Sequence, residues 1–345
     1  MFRSHFSRRS VLGMGAAAGA VMLTGMPARA AGQIVVTTWG GDNERAIRES
    51  AGAAMGQERG TSVIFDTGTP SARKTKLLAE AGRPRNSIDV VHLTDSDMYQ
   101  MQRQGFLLDI NEQVVPGYDR ILEELRTPYS VPTNFSALVL VYNRNHVSSM
   151  TSWKDLWKDE YKGRIGMTDL SYDKIIQIAS ATFGSGTSDY APGYEALLAL
   201  KELGVRIYPS NEACGNAFAS EEIVAAIQWK GRAVQWAEAG LPLDYAVPVE
   251  GGYPTSFEMA ITKNSGNIEE AGAFLDFMLR PESQLALAEA IGQAPVVHDA
   301  ALPPELQEKV AFTAEQRQNF IKLDHEYAAN HAAEALDWWN QKFKS

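Results

Sequence analysis

Trp39-Gly40-Gly41 is the triplet of this 345-residue chain whose side chains and spacing point most directly to ligand chemistry. The two glycines let a ligand approach the backbone, and the indole offers it a rigid face for stacking or for a cation. A second indole, Trp229, stands two residues before Gly231 at what reads as the end of a helix. It is expected to face the same ligand from the opposite side. Asp169, Asp173 and Glu258 fall near the ends of expected strands, and Asp173 and Glu258 are the acids chosen to hold an ammonium group. Lys230 and Arg232 flank Trp229 and keep a second reading open, in which they meet a carboxylate; otherwise they form a solvated basic pair.

These groups bind rather than react. The chain has no Gly-x-Ser-x-Gly, no phosphate-cradling Gly-x-x-x-x-Gly-Lys and no His-Glu-x-x-His. His92, His146, His298, His325 and His331 are scattered, and none stands at metal-ligand spacing from another or from Cys214. No catalytic residue, metal or cofactor is therefore assigned. Cys214 has no helper nearby in the sequence and reads as a buried, inert thiol. An exported hydrolase would need a nucleophile and a base that are not found.

The candidates need elements to position them. Strands are expected at Ile34–Thr38, Ser62–Asp66 and Ile88–Leu93, with helices near Glu44–Met55 and Ala72–Ala81 between them. Short apolar strands spaced by helices predict an α/β fold with a parallel sheet covered on both faces. In such sheets the loops after the strands' carboxyl ends form the ligand crevice, and here they carry Trp39, Thr69, Thr94 and Asp95. Ala137–Asn143 reads as a long strand leaving this sheet. A second α/β set follows, with strands at Arg164–Met167, Arg232–Trp236 and Asp244–Pro248 and helices at Ile175–Thr182, Tyr194–Leu203 and Glu221–Gln228. Phe257–Thr262 returns as a strand, and helices follow at Ile268–Leu279 and Gln284–Ile291. Trp153 and Trp157, four apart, and Trp338-Trp339 near the C-terminus read as packing residues.

The first thirty residues are read as a secretory leader. Ser7-Arg8-Arg9-Ser10 precedes a moderately apolar run, and Ala28-Arg29-Ala30 offers a cleavage point, the layout of a twin-arginine export signal. About 315 residues then remain, more than one core usually organises, so two lobes are expected. Their predicted boundaries place 31–133 plus about 257–345 in lobe 1, with the C-terminal helices, and 134–256 in lobe 2. Removing Arg3, Arg8, Arg9 and Arg29 from the 32 basic residues leaves 28 against 42 acids, a net charge of −14. Such a surface repels nucleic acid and suits a cationic solute. One cysteine allows no internal disulfide.

The segment Thr151-Ser152-Trp153-Lys154-Asp155-Leu156-Trp157-Lys158-Asp159-Glu160-Tyr161-Lys162-Gly163 resembles a signature of bacterial extracellular solute-binding proteins, specifically the spermidine/putrescine type that serves ABC importers. Ser62–Asp66, Ile88–Val91, Gly105-Phe106-Leu107, Val139–Asn143, Glu250-Gly251-Gly252 and Phe277–Glu282 extend the similarity in the same order. The resemblance implies the two-lobed periplasmic binding protein fold with two hinge crossings. It also implies a small solute trapped between the lobes, and delivery to an inner-membrane ABC permease. It places Trp39 and Trp229 at family aromatics and Asp173 at a family glutamate. The companion acid falls on Leu170, the family's Trp-x-Asp becomes Thr255-Ser256-Phe257 with Glu258 one residue beyond, and a family tyrosine becomes Gln293. A small organic amine, polyamine-like, is the ligand expected; an amino-acid-like zwitterion such as γ-aminobutyrate is the alternative. A ferric-ion binder of the wider family would need clustered tyrosines, whereas Tyr190 and Tyr194 lack an obvious supporting set.

Overall fold

The computed structural model describes residues 32–345; the leader and its cleavage near Ala30 lie outside the described residues. The strands are β1 (Gln33–Thr38), β2 (Ser62–Thr67), β3 (Val90–Thr94), β4 (Val131–Asn143), β5 (Ile165–Thr168), β6 (Arg206–Tyr208), β7 (Ala225–Trp229), β8 (Leu243–Ala246) and β9 (Tyr253–Ile261). The α-helices are α1 (Asp42–Ile47), α2 (Pro70–Ala79), α3 (Asp95–Arg103), α4 (Tyr172–Phe183), α5 (Ala191–Glu202) and α6 (Asn211–Ala219), followed by α7 (Lys230–Glu238), α8 (Ile268–Met278), α9 (Pro281–Ile291), α10 (Pro304–Val310), α11 (Ala314–Gln318) and α12 (His325–Trp338).

Across the described residues the nine strands form one mixed sheet in the order β2-β1-β3-β9-β4-β7-β5-β6, with β8 also pairing β4. The parallel sheet expected from the sequence holds for β1, β2 and β3, and again for β5 with β6 and β7. Between these sets β9 and β4 run antiparallel to their neighbours. β4 is the bridge: from Val131 to Leu138 it pairs β9, and from Leu138 to Asn143 it pairs β7 and β8.

Alternation along β4 explains how one strand serves two halves. Phe135, Ala137, Val139 and Val141 enter a hydrophobic cluster that runs along the sheet with Ile34, Val90, Met259 and Phe274. Leu138, Leu140 and Tyr142 point the other way, into a second cluster with Trp153, Ile176 and Trp339. A third, smaller cluster on Leu77, Val91, Leu93 and Ala260 belongs to the first half. The period-2 geometry of a strand makes this division automatic.

Two expectations fail, side by side. Glu221–Gln228 is not a helix: Ala225–Trp229 is β7, between β4 and β5. Arg232–Trp236 is not a strand but part of α7. Trp229 consequently sits at the end of a strand, as the N-cap of α7. A strand buried on both faces reads as an unbroken apolar run, and Ile223-Val224-Ala225-Ala226-Ile227 carries no period that separates it from a helix.

Candidate ligand-binding site

Trp39 leaves β1 half-buried and is held from three sides. His92 and Phe257 meet it edge-on, with ring centroids at 4.4 and 5.4 Å. The Arg73 guanidinium lies over the ring, 4.0 Å from its centroid. His92 is fully buried and bonded through both ring nitrogens, to the Thr38 hydroxyl at 2.8 Å and the Thr133 hydroxyl at 3.1 Å. Burial, and then the Arg73 charge, hold its pKa well below the ordinary value, so a neutral imidazole braces the indole. Gly40 is exposed, and a Cβ there would only touch Thr67 at 3.8 Å, so packing does not demand the glycine. Thr69 caps α2, accepting the Ala72 N–H at 3.2 Å, and Thr94 occupies the N-cap position of α3.

The acids of the first half converge behind these residues. Asp95 opens α3 and accepts the backbone N–H of Ser96 at 2.7 Å and of Ser256 at 3.2 Å. Burial raises its pKa although His325 and Lys174 oppose the rise. Glu258, only 2 % exposed, accepts hydroxyl protons from Ser130 and Ser256, both at 2.6 Å. Burial first, and then the charge of Asp95, push Glu258 up to about 7. Both carboxylates line a cavity of about 190 Å³ together with Glu124, Phe135, Thr255, Arg317, Lys322 and His325, whereas Trp39, Gly40, Thr69, Thr94, Asp173 and Trp229 do not line it. Among the described residues, the Thr255 hydroxyl and the Asn134 amide are buried on the crossing strands without a hydrogen-bond partner, as groups reserved for a ligand or water would be.

The second half faces these acids with the first turn of α4. Lys174 places its ammonium 3.2 Å from Asp173. Burial alone would lower its pKa, but Asp173, Asp95 and Asp97 together hold it above the ordinary value. Asp97 is itself paired with Lys74. Asp173 is thus already engaged by a protein cation. Trp229 packs at the edge of the second cluster and makes no ring contact with Trp39. Lys230 and Arg232 do not offer a carboxylate site: Lys230 is buried, donates to the Glu308 and Ala311 carbonyls at 3.4 and 2.5 Å, and lies over Phe312 and Tyr245. Arg232 pairs with Glu212 at 3.2 Å. Sequence reasoning missed Arg73, Lys174, Ser130 and His325. The one signal available was the Thr69-Pro70 helix start, which puts Arg73 one turn into α2.

The remaining candidates are structural. Asp169 accepts the Trp339 indole N–H at 2.8 Å and the Lys344 ammonium at 2.5 Å, anchoring the C-terminal segment. Trp153 is fully buried and donates to the Gly251 carbonyl at 2.8 Å, and Trp157 donates to Ala196 at 2.7 Å. Cys214 is buried, and burial pushes its thiol up to about 12. Among the described residues no group of three or more His, Cys, Asp or Glu side chains could hold a metal ion, and no helix is long and apolar enough to cross a membrane.

Comparison with known proteins bears on the family and the fold. A family profile described as bacterial extracellular solute-binding protein matches residues 51–314. A spermidine/putrescine-binding periplasmic protein of Escherichia coli is 29% identical over 248 residues, covering 68% of this chain and 70% of the relative. Among solved structures, an ABC transporter protein from Clostridium perfringens superposes with a TM-score of 0.80 at 24% identity, over 89% of this chain and 99% of that one. A spermidine/putrescine ABC transporter substrate-binding protein from Streptococcus pneumoniae gives 0.74 at 21% identity, over 91% and 100%. The fold is the two-lobed periplasmic binding protein fold, with β4 and β9 as extended crossings.

Proposed function

Since the chain belongs to the bacterial extracellular solute-binding protein family, we propose that it is the periplasmic substrate-binding component of an ABC importer, capturing a small organic amine between its lobes. It acts by binding, without turnover, and delivers the amine to an inner-membrane permease. The observation that carries the amine is the pair of buried acids, Asp95 and Glu258, facing one small cavity. A buried carboxylate left without a cation is costly, and an ammonium group removes that cost. The Escherichia coli relative, named for spermidine and putrescine, supports the same ligand class.

The lobe boundaries proposed are 31–133 with the segment from about 257 for lobe 1, and 134–256 for lobe 2. The segment from His325 onward straddles them: His325 stacks on Tyr99 of α3, whereas Trp338 stacks on Tyr194 of α5. Closure is then a hinge motion at β4 and β9, biased by ligand contacts from both sides. Export follows from the leader, by the twin-arginine route, with cleavage near Ala30. Replacing Arg8 and Arg9 by lysine should stop export, and undiminished secretion would transfer the protein to the general pathway.

Titration calorimetry tests the ligand class. Protein stripped of bound solute by unfolding and refolding is titrated with putrescine, spermidine, γ-aminobutyrate, other amino acids, sugars and simple anions. Binding confined to members that carry an ammonium group is the expected result. Binding only to sugars or to simple anions would refute the amine reading.

A further inference from the structure

The cavity that holds the two buried acids also carries cations, and the two charges come from different parts of the chain. Asp95 and Glu258 belong to the start of α3 and to β9. Arg317, Lys322 and His325 line the same cavity from the returning segment that runs from α11 to the start of α12. Arg317 is engaged: its Nε donates to Glu124 and its Nη1 to the Phe312 carbonyl, both at 2.7 Å. His325 stacks on Tyr99 and, when protonated, acts on Asp95. Lys322 differs from both. It is exposed, and among the described residues its ammonium has no hydrogen bond or ion pair. The carboxylate that its charge reaches, Glu124, is the one already bonded to Arg317.

The main chain around this lysine is nevertheless pinned. Its carbonyl accepts the Thr187 hydroxyl at 3.0 Å, and the Ile321 and Asp324 amides donate to the Gly252 carbonyl at 3.1 Å and to Thr187 at 2.9 Å. A fixed backbone thus presents an uncommitted ammonium to a cavity that contains acids. Two consequences follow for the occupant. Of the three acids lining the cavity, Glu124 is held by Arg317, which leaves Asp95 and Glu258 for one ammonium and no acid for a second. A second ammonium would instead meet Lys322 and Arg317, whereas a carboxylate there gains a charge-assisted hydrogen bond. The rest of the lining is largely apolar, with Leu125, Phe135, Phe320 and Leu323, and suits a short methylene chain joining the two ends. The Thr255 hydroxyl, 1 % exposed and without a partner among the described residues, faces the same space.

We propose that Lys322 is the carboxylate anchor of this cavity, so that the captured amine is a zwitterionic amino acid with its ammonium on Asp95 and Glu258. This rests on the reading of the cavity as an amine site and narrows it to one substrate class. Lys322 thereby sets specificity: it holds an anion at one end of the ligand and repels a second ammonium.

Calorimetry on the stripped full mature chain, with chain-matched pairs of diamine and amino acid (putrescine against γ-aminobutyrate, and one carbon shorter and longer), reads the inference directly. The wild type is expected to prefer the amino acid of a pair by about tenfold or more, the worth of one charge-assisted hydrogen bond. Lys322→Gln removes the charge and should cost the amino acid about 10- to 100-fold while leaving the diamine no weaker. Lys322→Glu should turn the preference toward the diamine. The side chain is exposed and unbonded, so both variants should melt with the wild type, and thermal melts verify it. Preference of the wild type for the diamine would sink the anchor and leave the amine reading standing. Equal losses for both ligands in Lys322→Gln, or none for the amino acid, would reduce Lys322 to a solvated surface base. Sugar binding with no response to any amine would overturn both the anchor and the amine reading.

Discussion

Glu258 offers a quantitative test of how the site stores its preference for a cation. Its carboxyl lies between two serine hydroxyls at 2.6 Å, which favour the charged form, yet it is pushed up to about 7 from an ordinary 4.5. Burial outweighs the two hydrogen bonds, and Asp95, itself raised, adds its charge; Tyr129 also faces it, and Lys174 and His325 face Asp95. A shift of that size corresponds to about 3 kcal/mol between pH 4.5 and 7. The sign follows from proton counting. The folded protein keeps the Glu258 proton where the unfolded chain has lost it, so this stabilisation is complete below about pH 4.5 and disappears as the pH rises through about 7. Glu258→Gln removes the titration. Urea denaturation of stripped wild type and variant, at half-unit intervals from pH 5 to 8, should show the variant gaining by about 2–3 kcal/mol relative to wild type across that range. An amine must displace the same proton, so wild-type affinity should fall below pH 7 and binding at pH 6 should release close to one proton in calorimetry repeated in buffers of different ionisation heat. Parallel stability curves for the two proteins, with a constant difference from pH 5 to 8, would show that Glu258 is an ordinary ionised carboxylate and that the reasoning is wrong.

Three further outcomes are expected. Gly251→Ala should destabilise far more than Gly240→Ala, by about 2 kcal/mol or more: both have positive φ, but a Cβ at 251 would lie 1.9 Å from the Asn319 carbonyl oxygen whereas 240 has open space. Equal melting temperatures for the two variants would contradict that. Cys214 should resist thiol reagents until the protein unfolds, since burial holds it as a thiol, and rapid native labelling would show an opening that the packing does not predict. Asp169→Ala removes the acceptor of Trp339 and Lys344, so amide exchange across 325–345 should accelerate while that of β1 does not; unchanged exchange in the tail would leave the anchor without effect.

The legible parts of the chain are those whose signal is local. Ile34–Thr38, Ser62–Asp66 and Phe257–Ile261 are apolar and β-branched runs bounded by turn residues, and they are strands. The crevice loops followed from them, bringing Trp39, Thr69, Thr94 and Asp95 to one end of the first sheet. Ala225–Trp229 was illegible because a hydrophobic cluster covers each of its faces, which erases any period. Lys230 looked like a surface base and is an interior one, because α10 and its following loop return from 78 and 81 residues away to accept its ammonium. Arg73 and Lys174 were missed for the converse reason. A basic residue in the first turn of a helix reads as solvated, and only the approach of Trp39 to one and of Asp95 and Asp97 to the other turns them into parts of the site.

The central claim is that a small organic amine is held between the lobes by Asp95 and Glu258. A crystal structure of the mature protein with the tightest-binding amine of the calorimetric panel tests it most directly. The account predicts density enclosed between the lobes, with an ammonium nitrogen about 2.8 Å from a carboxylate oxygen of Asp95 or Glu258. A ligand whose ammonium group lies elsewhere, with those two carboxyls still bonded only to Ser130, Ser256 and Ser96, would contradict it.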